Sequence, residues 1–281
     1  MIWGERFIEL ADYVFRPYGG DNPFNHIVKG DYRYLDNTLD FEKLKDGDII
    51  YTHTFYISQL FEKLNKGIKL TVISHNCDIP ADLIPPDGVM WFSSNVNIRH
   101  PKVKALPYGI KQGVIPKMEK KLSEPKVLKN LLYIDHRIWV NPKERQRPYE
   151  LLEDKPWVTA IHTEGTNDKF THETPESFDR YLDNLYHHAF SICPPGNGID
   201  TRRPWEAIYM RTMPIVKRGI HNESFSDLPI LLVDAWSEVT LEFLLERHYQ
   251  LSNYYPTLDF NYWKGLIYEN SRANGRARGT I

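Results

Sequence analysis

Arg203 and Glu206 stand three residues apart, just after a glycine pair, in the run Phe190-Ser-Ile-Cys-Pro-Pro-Gly-Asn-Gly-Ile-Asp-Thr-Arg-Arg-Pro-Trp-Glu-Ala-Ile-Tyr. A guanidinium fork matches phosphate oxygens. A carboxylate accepts from a pair of ribose hydroxyls. Gly196 and Gly198, flanking Asn197, permit positive φ and let backbone N–H groups approach a ligand closely. Asp200 or Thr201 would cap the helix that follows, and Pro204 fits its first turn. The start of that helix favours anions through its unpaired N–H groups and its dipole. Together these residues suit a phosphorylated, ribose-bearing ligand. The same spacing also makes an ordinary surface ion pair. The coincidence of glycine loop, helix start and following strand weighs against that reading.

The elements that would position these residues can be read on both sides. His188 to Cys193 is an apolar run ending at Pro194-Pro195, which reads as a buried strand. In the helix, Trp205, Ile208 and Tyr209 share a core-facing side, with Arg203 and Glu206 roughly opposite. Met213-Pro-Ile-Val-Lys is the next strand. Upstream, strands are expected at Tyr13-Val-Phe, Asp48 to Thr52, Leu70 to Ser74, Val89 to Ser93 and Val103 to Leu106. A helix is expected over Phe55 to Lys66, with Ile57, Leu60 and Leu64 on one face. Lys111 to Lys129 is lysine-rich with two prolines and reads as a linker. The pattern then restarts: strand Asn130 to Ile134, helix Pro142 to Leu152, strand Trp157 to Ile161, a polar loop from Thr163 to Thr174, and helix Pro175 to Leu185. Beyond the glycine loop come strand Leu228 to Val233, helix Thr240 to Tyr249 and a last helix, Tyr262 to Asn270. This alternation argues for an α/β chain with mainly parallel sheets. Two Rossmann-like domains are expected to face a central cleft: 1–112, a linker 113–129, and 130–255, with 256–281 as a terminal helix and tail. In open parallel sheets ligands bind beyond the carboxyl ends of the strands. His53, His75, Asn76, Asp78 and Asn95 follow strands of the first domain, and the loop Tyr18 to Pro23, with Asp21, follows another.

The segment from Pro195-Gly196 through Thr201, Arg203, Glu206-Ala207 and Met213-Pro214-Ile215-Val216 resembles the C-terminal signature of the exostosin-like glycosyltransferases. The match is specific over about 30 residues, looser over roughly 125–255, and weak before residue 110. The resemblance implies a GT-B fold, an inverting reaction and a UDP-sugar donor. It implies that Thr201 and Arg203 hold the diphosphate, that Glu206 holds the ribose, and that the last helix returns to pack on the first domain. Asn141-Pro-Lys-Glu-Arg145 is similar to the family's arginine segment, which makes Arg145 a second phosphate cation. The nucleobase would lie near His162 and Thr163, by position alone. An inverting transfer needs a base at the acceptor hydroxyl. Asp78 is the first choice, with His75 and Asp21 behind it, although each of these also suits ordinary loop capping. His53 and Asn95 would lie on the acceptor side. Ser74-His75-Asn76 departs from the Ser-His-Asp of plant members at its third residue, which keeps the base open. Compact members without an anchor resemble those encoded by large DNA viruses of algae. That implies xylose as the donor sugar and a growing glycan, on a capsid glycoprotein, as acceptor.

Other features narrow the class. With 35 basic and 37 acidic residues among 281, a general nucleic-acid surface is not expected. The 17 tyrosines and 7 tryptophans suit either sugar stacking or an aromatic core. Two cysteines, Cys77 and Cys193, the lack of a signal-peptide pattern and the lack of an 18-residue apolar run lead to an expectation of a cytoplasmic chain without a transmembrane segment. Asp46-Gly47-Asp48 could hold a divalent ion on a diphosphate, but it precedes a strand and reads as turn chemistry. No metal and no resident cofactor are therefore expected, the cations being arginines and a helix dipole. The competing reading is a glycan- or nucleotide-binding protein on the same scaffold without a working base.

Overall fold

The computed structural model describes residues 1–17, 37–162, 175–247 and 255–275. It is a mixed α/β chain with two five-stranded sheets, both parallel throughout. The chain divides into two units, one formed by 2–108 with 256–281 and the other by 109–255 together with Met1.

In the first unit the strands are β1 (Tyr13–Phe15), β2 (Ile49–Thr52), β3 (Leu70–Ser74), β4 (Val89–Ser93) and β5 (Val103–Ala105). They lie side by side in chain order. β2 and β3 are buried at every position, as unbroken apolar runs demand. Between them a 3-10 turn, Thr54–Tyr56, leads into α1 (Ile57–Lys63), which is shorter than the expected helix. Ile57, Leu60 and Leu64 are buried on one face, as their spacing predicts. The last helix, α8 (Phe260–Ala273), is capped by Asp259 and belongs to this unit. Phe260 packs tilted against Phe7 at 5.3 Å between ring centroids, and Asn274 Nδ2 donates to the Leu70 carbonyl at 3.2 Å.

The second unit begins with α2 (Ile115–Leu122), inside the stretch read as a linker. Pro116 sits in its first turn, Met118 is fully buried, and its lysines answer acids on another helix. Lys117 meets Asp179 at 2.7 Å and Lys121 meets Asp183 at 3.0 Å. Lysine density there marks a helix face matched to α4 (Pro175–Tyr186), not a solvated tether. The remaining elements are β6 (Asn130–Asp135), α3 (Pro142–Leu152), β7 (Val158–Ile161), β8 (His188–Ile192), α5 (Arg202–Tyr209), β9 (Met213–Lys217), α6 (Ile220–Glu223), β10 (Leu231–Val233) and α7 (Leu241–Leu245). β10 starts after Pro229 instead of at Leu228, because proline has no N–H for the ladder. The strand order is β7-β6-β8-β9-β10. Chain order therefore reverses at β6: β7 lies on one side of it, and β8, β9 and β10 on the other. The core packs Leu132, Ile134, Phe190, Ile192 and Ile215 from the strands against Tyr149 and Leu152 of α3. Among the described residues no helix is long and apolar enough to cross a membrane.

Candidate functional site

A reversal of strand order leaves the loops after the two neighbouring strands splayed apart at the sheet's carboxyl edge, a crevice where α/β proteins bind ligands. Here those loops are Asp135 to Arg137 after β6 and Cys193 to Thr201 after β8. Arg145, in the second turn of α3, ties them together. Its Nε donates to the Pro195 carbonyl at 2.8 Å, and its Nη1 to the Arg137 carbonyl at 3.2 Å. Asn141, ahead of the helix, adds a bond from Nδ2 to the Gly196 carbonyl at 3.0 Å. Neither Gly196 nor Gly198 takes the positive φ that glycine permits. Gly196 is needed for space: a Cβ there would lie 2.9 Å from Arg145 Nη2 and 3.3 Å from Thr201 Cγ2. The loop closes on itself through Gly196 N–H to the Gly198 carbonyl at 3.0 Å, and Asn197 is exposed at its tip.

Thr201 occupies the N-cap of α5 with extended dihedrals and makes no side-chain cap bond. Asp200 turns inward, accepting from Trp205 Nε1 at 2.9 Å and His221 Nε2 at 3.0 Å. Its carboxylate is buried and anchors the loop to the core side of α5, where Trp205 packs edge-on against Phe225 at 5.0 Å.

Arg203 and Glu206 do not form an ion pair with each other. Tyr181 of α4 stands between them: the Arg203 guanidinium carbon lies 5.0 Å from its ring centroid, and its hydroxyl donates to Glu206 Oε2 at 2.9 Å. Burial, and next the Glu206 carboxylate, push the Tyr181 pKa well up, so the hydroxyl stays a donor. Burial alone would lower the pKa of Arg203. Tyr181, Asp135, Cys193 and Glu206 outweigh it and raise the value, which keeps the guanidinium charged. Yet its Nη1 is buried without a hydrogen-bond partner. Arg145 is held down to about 10 by burial and then by the charge of Arg203, which still leaves it cationic at neutral pH. Two partly desolvated cations that repel each other beside a helix start are stabilised by an anion placed between them and the loop.

No protein-family model matches this chain, and no curated protein matches it in sequence.

The other residues singled out in the sequence have surroundings of their own. His162 is exposed at the end of β7, stacked on Tyr149 at 4.4 Å and paired with Glu153 at 2.6 Å. In the first unit, His75 is fully buried between Phe7 and Tyr108. Its Nε2 donates to the Pro107 carbonyl at 3.0 Å, so Nδ1 accepts from Asn76 N–H at 2.8 Å. Asp78 stands exposed on the same loop. His53 is half-buried, edge-on to Tyr51 and Tyr56, and burial with the charge of Arg16 lowers its pKa to about 4. Asn95 is buried at φ 58°, and its Nδ2 donates to the Cys77 carbonyl at 2.7 Å. Asp46 and Asp48 accept from Lys69 N–H at 2.9 Å and Lys45 N–H at 2.8 Å around Gly47, which is turn chemistry. Asp21 and Thr163 lie outside the described residues.

Asp135, His136, Asn141 and Tyr181 were not foreseen. The rule that polar residues after strands face ligands was applied to the first unit and would have found Asp135 and His136 after β6. Tyr181 carried no signal, because an aromatic on the apolar side of an amphipathic helix reads as core.

Proposed function

We propose that the chain is an inverting glycosyltransferase of the GT-B type. It moves a sugar, best assigned as xylose, from a UDP-sugar to a hydroxyl of a growing glycan. Asp78 takes the acceptor proton, and the acceptor oxygen bonds to the anomeric carbon from the face opposite the leaving group. The bond from that carbon to the phosphate oxygen breaks, its electron pair leaves with UDP, and a β-linkage results. Arg203, Arg145 and the start of α5 receive the diphosphate charge, Glu206 the ribose, and no metal is needed. The observation that carries this reading is the unpartnered, buried Nη1 of Arg203 beside a second guanidinium where the strand order reverses. A buried guanidinium N–H that the protein itself leaves without an acceptor costs free energy, and a diphosphate offsets that cost.

One observation favours a second reading, a nucleotide- or glycan-binding protein without catalysis. Both ring nitrogens of His75 are engaged inside the protein, so the loop after β3 presents only the exposed Asp78 carboxylate. Calorimetry in EDTA with UDP, UDP-xylose, UDP-glucose, UDP-galactose and GDP-mannose, followed by a transfer assay, separates the two. Selective binding of UDP and one UDP-sugar, with transfer, is the expected result. Binding without transfer supports the second reading, and no nucleotide binding removes both.

A further inference from the structure

His136 is the second orphan of this site. It follows β6 directly, its ring is almost fully buried, and its Nδ1 has no hydrogen-bond partner. Its Nε2 lies 2.7 Å from the Arg145 carbonyl oxygen and must carry the ring proton. Nδ1 is therefore a bare acceptor. The ring is fixed from several sides: it packs on Tyr149 at 4.8 Å, and its backbone N–H donates to the Tyr149 hydroxyl at 3.0 Å. That hydroxyl in turn donates to the Ile161 carbonyl at 2.8 Å, pinning the end of β6 to the end of β7. Protonation of Nδ1 is not an escape from the unmade bond. Burial, then the charge of Arg203, hold the His136 pKa down to about 3, so the ring is neutral at physiological pH.

A buried acceptor without a partner is costly, and a ligand that supplies the missing donor removes that cost. The His136 partner, Arg145, also donates from Nε to the Pro195 carbonyl of the loop that leads into α5 and Arg203, whose Nη1 is an orphan donor. We propose that His136 is a ligand-binding residue whose Nδ1 accepts a hydrogen bond from a hydroxyl of the same phosphorylated ligand whose anionic group Arg203 holds. The inference rests on the phosphate assignment of Arg203. It adds that the site reads a phosphate and a hydroxyl together, which separates sugar phosphates and nucleotides from inorganic anions. The hydroxyl belongs either to the ribose or to the transferred sugar.

Two variants divide the imidazole between its nitrogens. His136→Gln keeps a donor near the Nε2 position and loses the Nδ1 acceptor. His136→Asn keeps an acceptor near Nδ1 and loses the donor to Arg145. Affinities of the full chain for pyrophosphate, ribose 5-phosphate, UDP and UDP-xylose are measured by calorimetry, and the ¹⁵N resonance of Nδ1 is followed in the wild type. The expected result is that His136→Gln binds UDP-xylose about 10-fold more weakly, the size of one hydrogen bond, and pyrophosphate within about twofold of wild type. His136→Asn keeps the wild-type preference even if it melts earlier, and the Nδ1 resonance moves upfield on adding UDP-xylose. A parallel loss for UDP and ribose 5-phosphate places the hydroxyl on the ribose, and a loss confined to UDP-xylose places it on the sugar. Equal losses for pyrophosphate and UDP-xylose, no loss in His136→Gln, or an Nδ1 resonance already hydrogen-bonded and unmoved by ligand would overturn the proposal, the last meaning a buried water only. If the wild type binds UDP-xylose but His136→Gln is unchanged, this inference falls and the donor reading stands. If ribose 5-phosphate binds through His136 and UDP does not, the reverse holds.

Discussion

Both units are built on five parallel strands, yet they spend the polar residues at their strand ends in opposite ways. The first sheet runs in chain order and has no reversal at which loops splay apart. Its strand ends are stitched to one another: Thr54 donates to Ser74 at 3.1 Å, Ser74 meets Ser93 at 2.7 Å, and Trp91 Nε1 reaches Ser74 at 2.9 Å. His75 and Asn95 close the adjoining loops onto backbone carbonyls. Its unpartnered hydroxyls, Thr71 and Ser94, are neutral. The second sheet reverses at β6, and its strand ends hold two guanidinium groups, a buried unpartnered Nη1 and a bare imidazole nitrogen. Sheet type alone does not make a site. Strand order sets where loops beyond the strands part, and in the second unit the charged groups lie at that point.

The largest test of this contrast swaps a charge in each unit. Arg203→Ala should weaken UDP by about 100-fold, the loss of a charge-assisted phosphate contact. Asp78→Asn should leave UDP affinity unchanged while lowering turnover by about 100-fold or more, the scale of a general base. Calorimetry beside a transfer assay reads both. If Asp78→Asn weakened UDP as much as Arg203→Ala, the division of labour would be wrong. A smaller test uses one substitution twice. Gly4→Ala puts a Cβ 2.4 Å from the His75 ring, which cannot yield, so stability should fall by about 1–3 kcal/mol with nucleotide affinity unchanged. Gly196→Ala presses instead on the Arg145 guanidinium at 2.9 Å, the far end of a side chain. Pyrophosphate should bind about 10-fold more weakly while stability moves by less than about 1 kcal/mol. Thermal melts and calorimetry on both variants check the pair, and equal melting losses would show that Arg145 is only a brace.

The contrast was half legible in the sequence. Apolar runs bounded by turn residues gave the strands to within a residue or two at β2, β3, β4, β6, β8 and β9, because buried parallel strands need little else. The glycine loop running into the start of α5 could be read because its residues are contiguous in the chain. Strand order could not be read, since it depends on which strands pair across the sheet. For that reason the sequence reading spreads site residues over both units, with Asp21, His53, His75, Asp78 and Asn95 in the first. Lys111 to Lys129 misled for a related reason: Lys117, Lys121 and Lys129 meet Asp179 and Asp183, some 60 residues further on. The inward turn of Asp200 likewise depends on His221, from a later element.

The smallest effect probes the residue with no sequence signal. Tyr181→Phe keeps the ring beneath Arg203 and removes only the hydroxyl that donates to Glu206 at 2.9 Å. Glu206 is buried, so a carboxylate deprived of this donor is more costly to keep, and stability should drop by about 1–2 kcal/mol. The phosphate contact of Arg203 does not use the hydroxyl, so pyrophosphate affinity should be unchanged. UDP should bind about threefold more weakly, because Glu206 is no longer held in place for the ribose, an effect below that of a full hydrogen bond. The ratio of UDP to pyrophosphate affinity is therefore the informative number. A fall in both affinities together would mean that Tyr181 positions Arg203 and not Glu206. An unchanged ratio with lower stability would leave Glu206 as a buried strut of the second unit, and the ribose contact would have to be sought on the loop after β6.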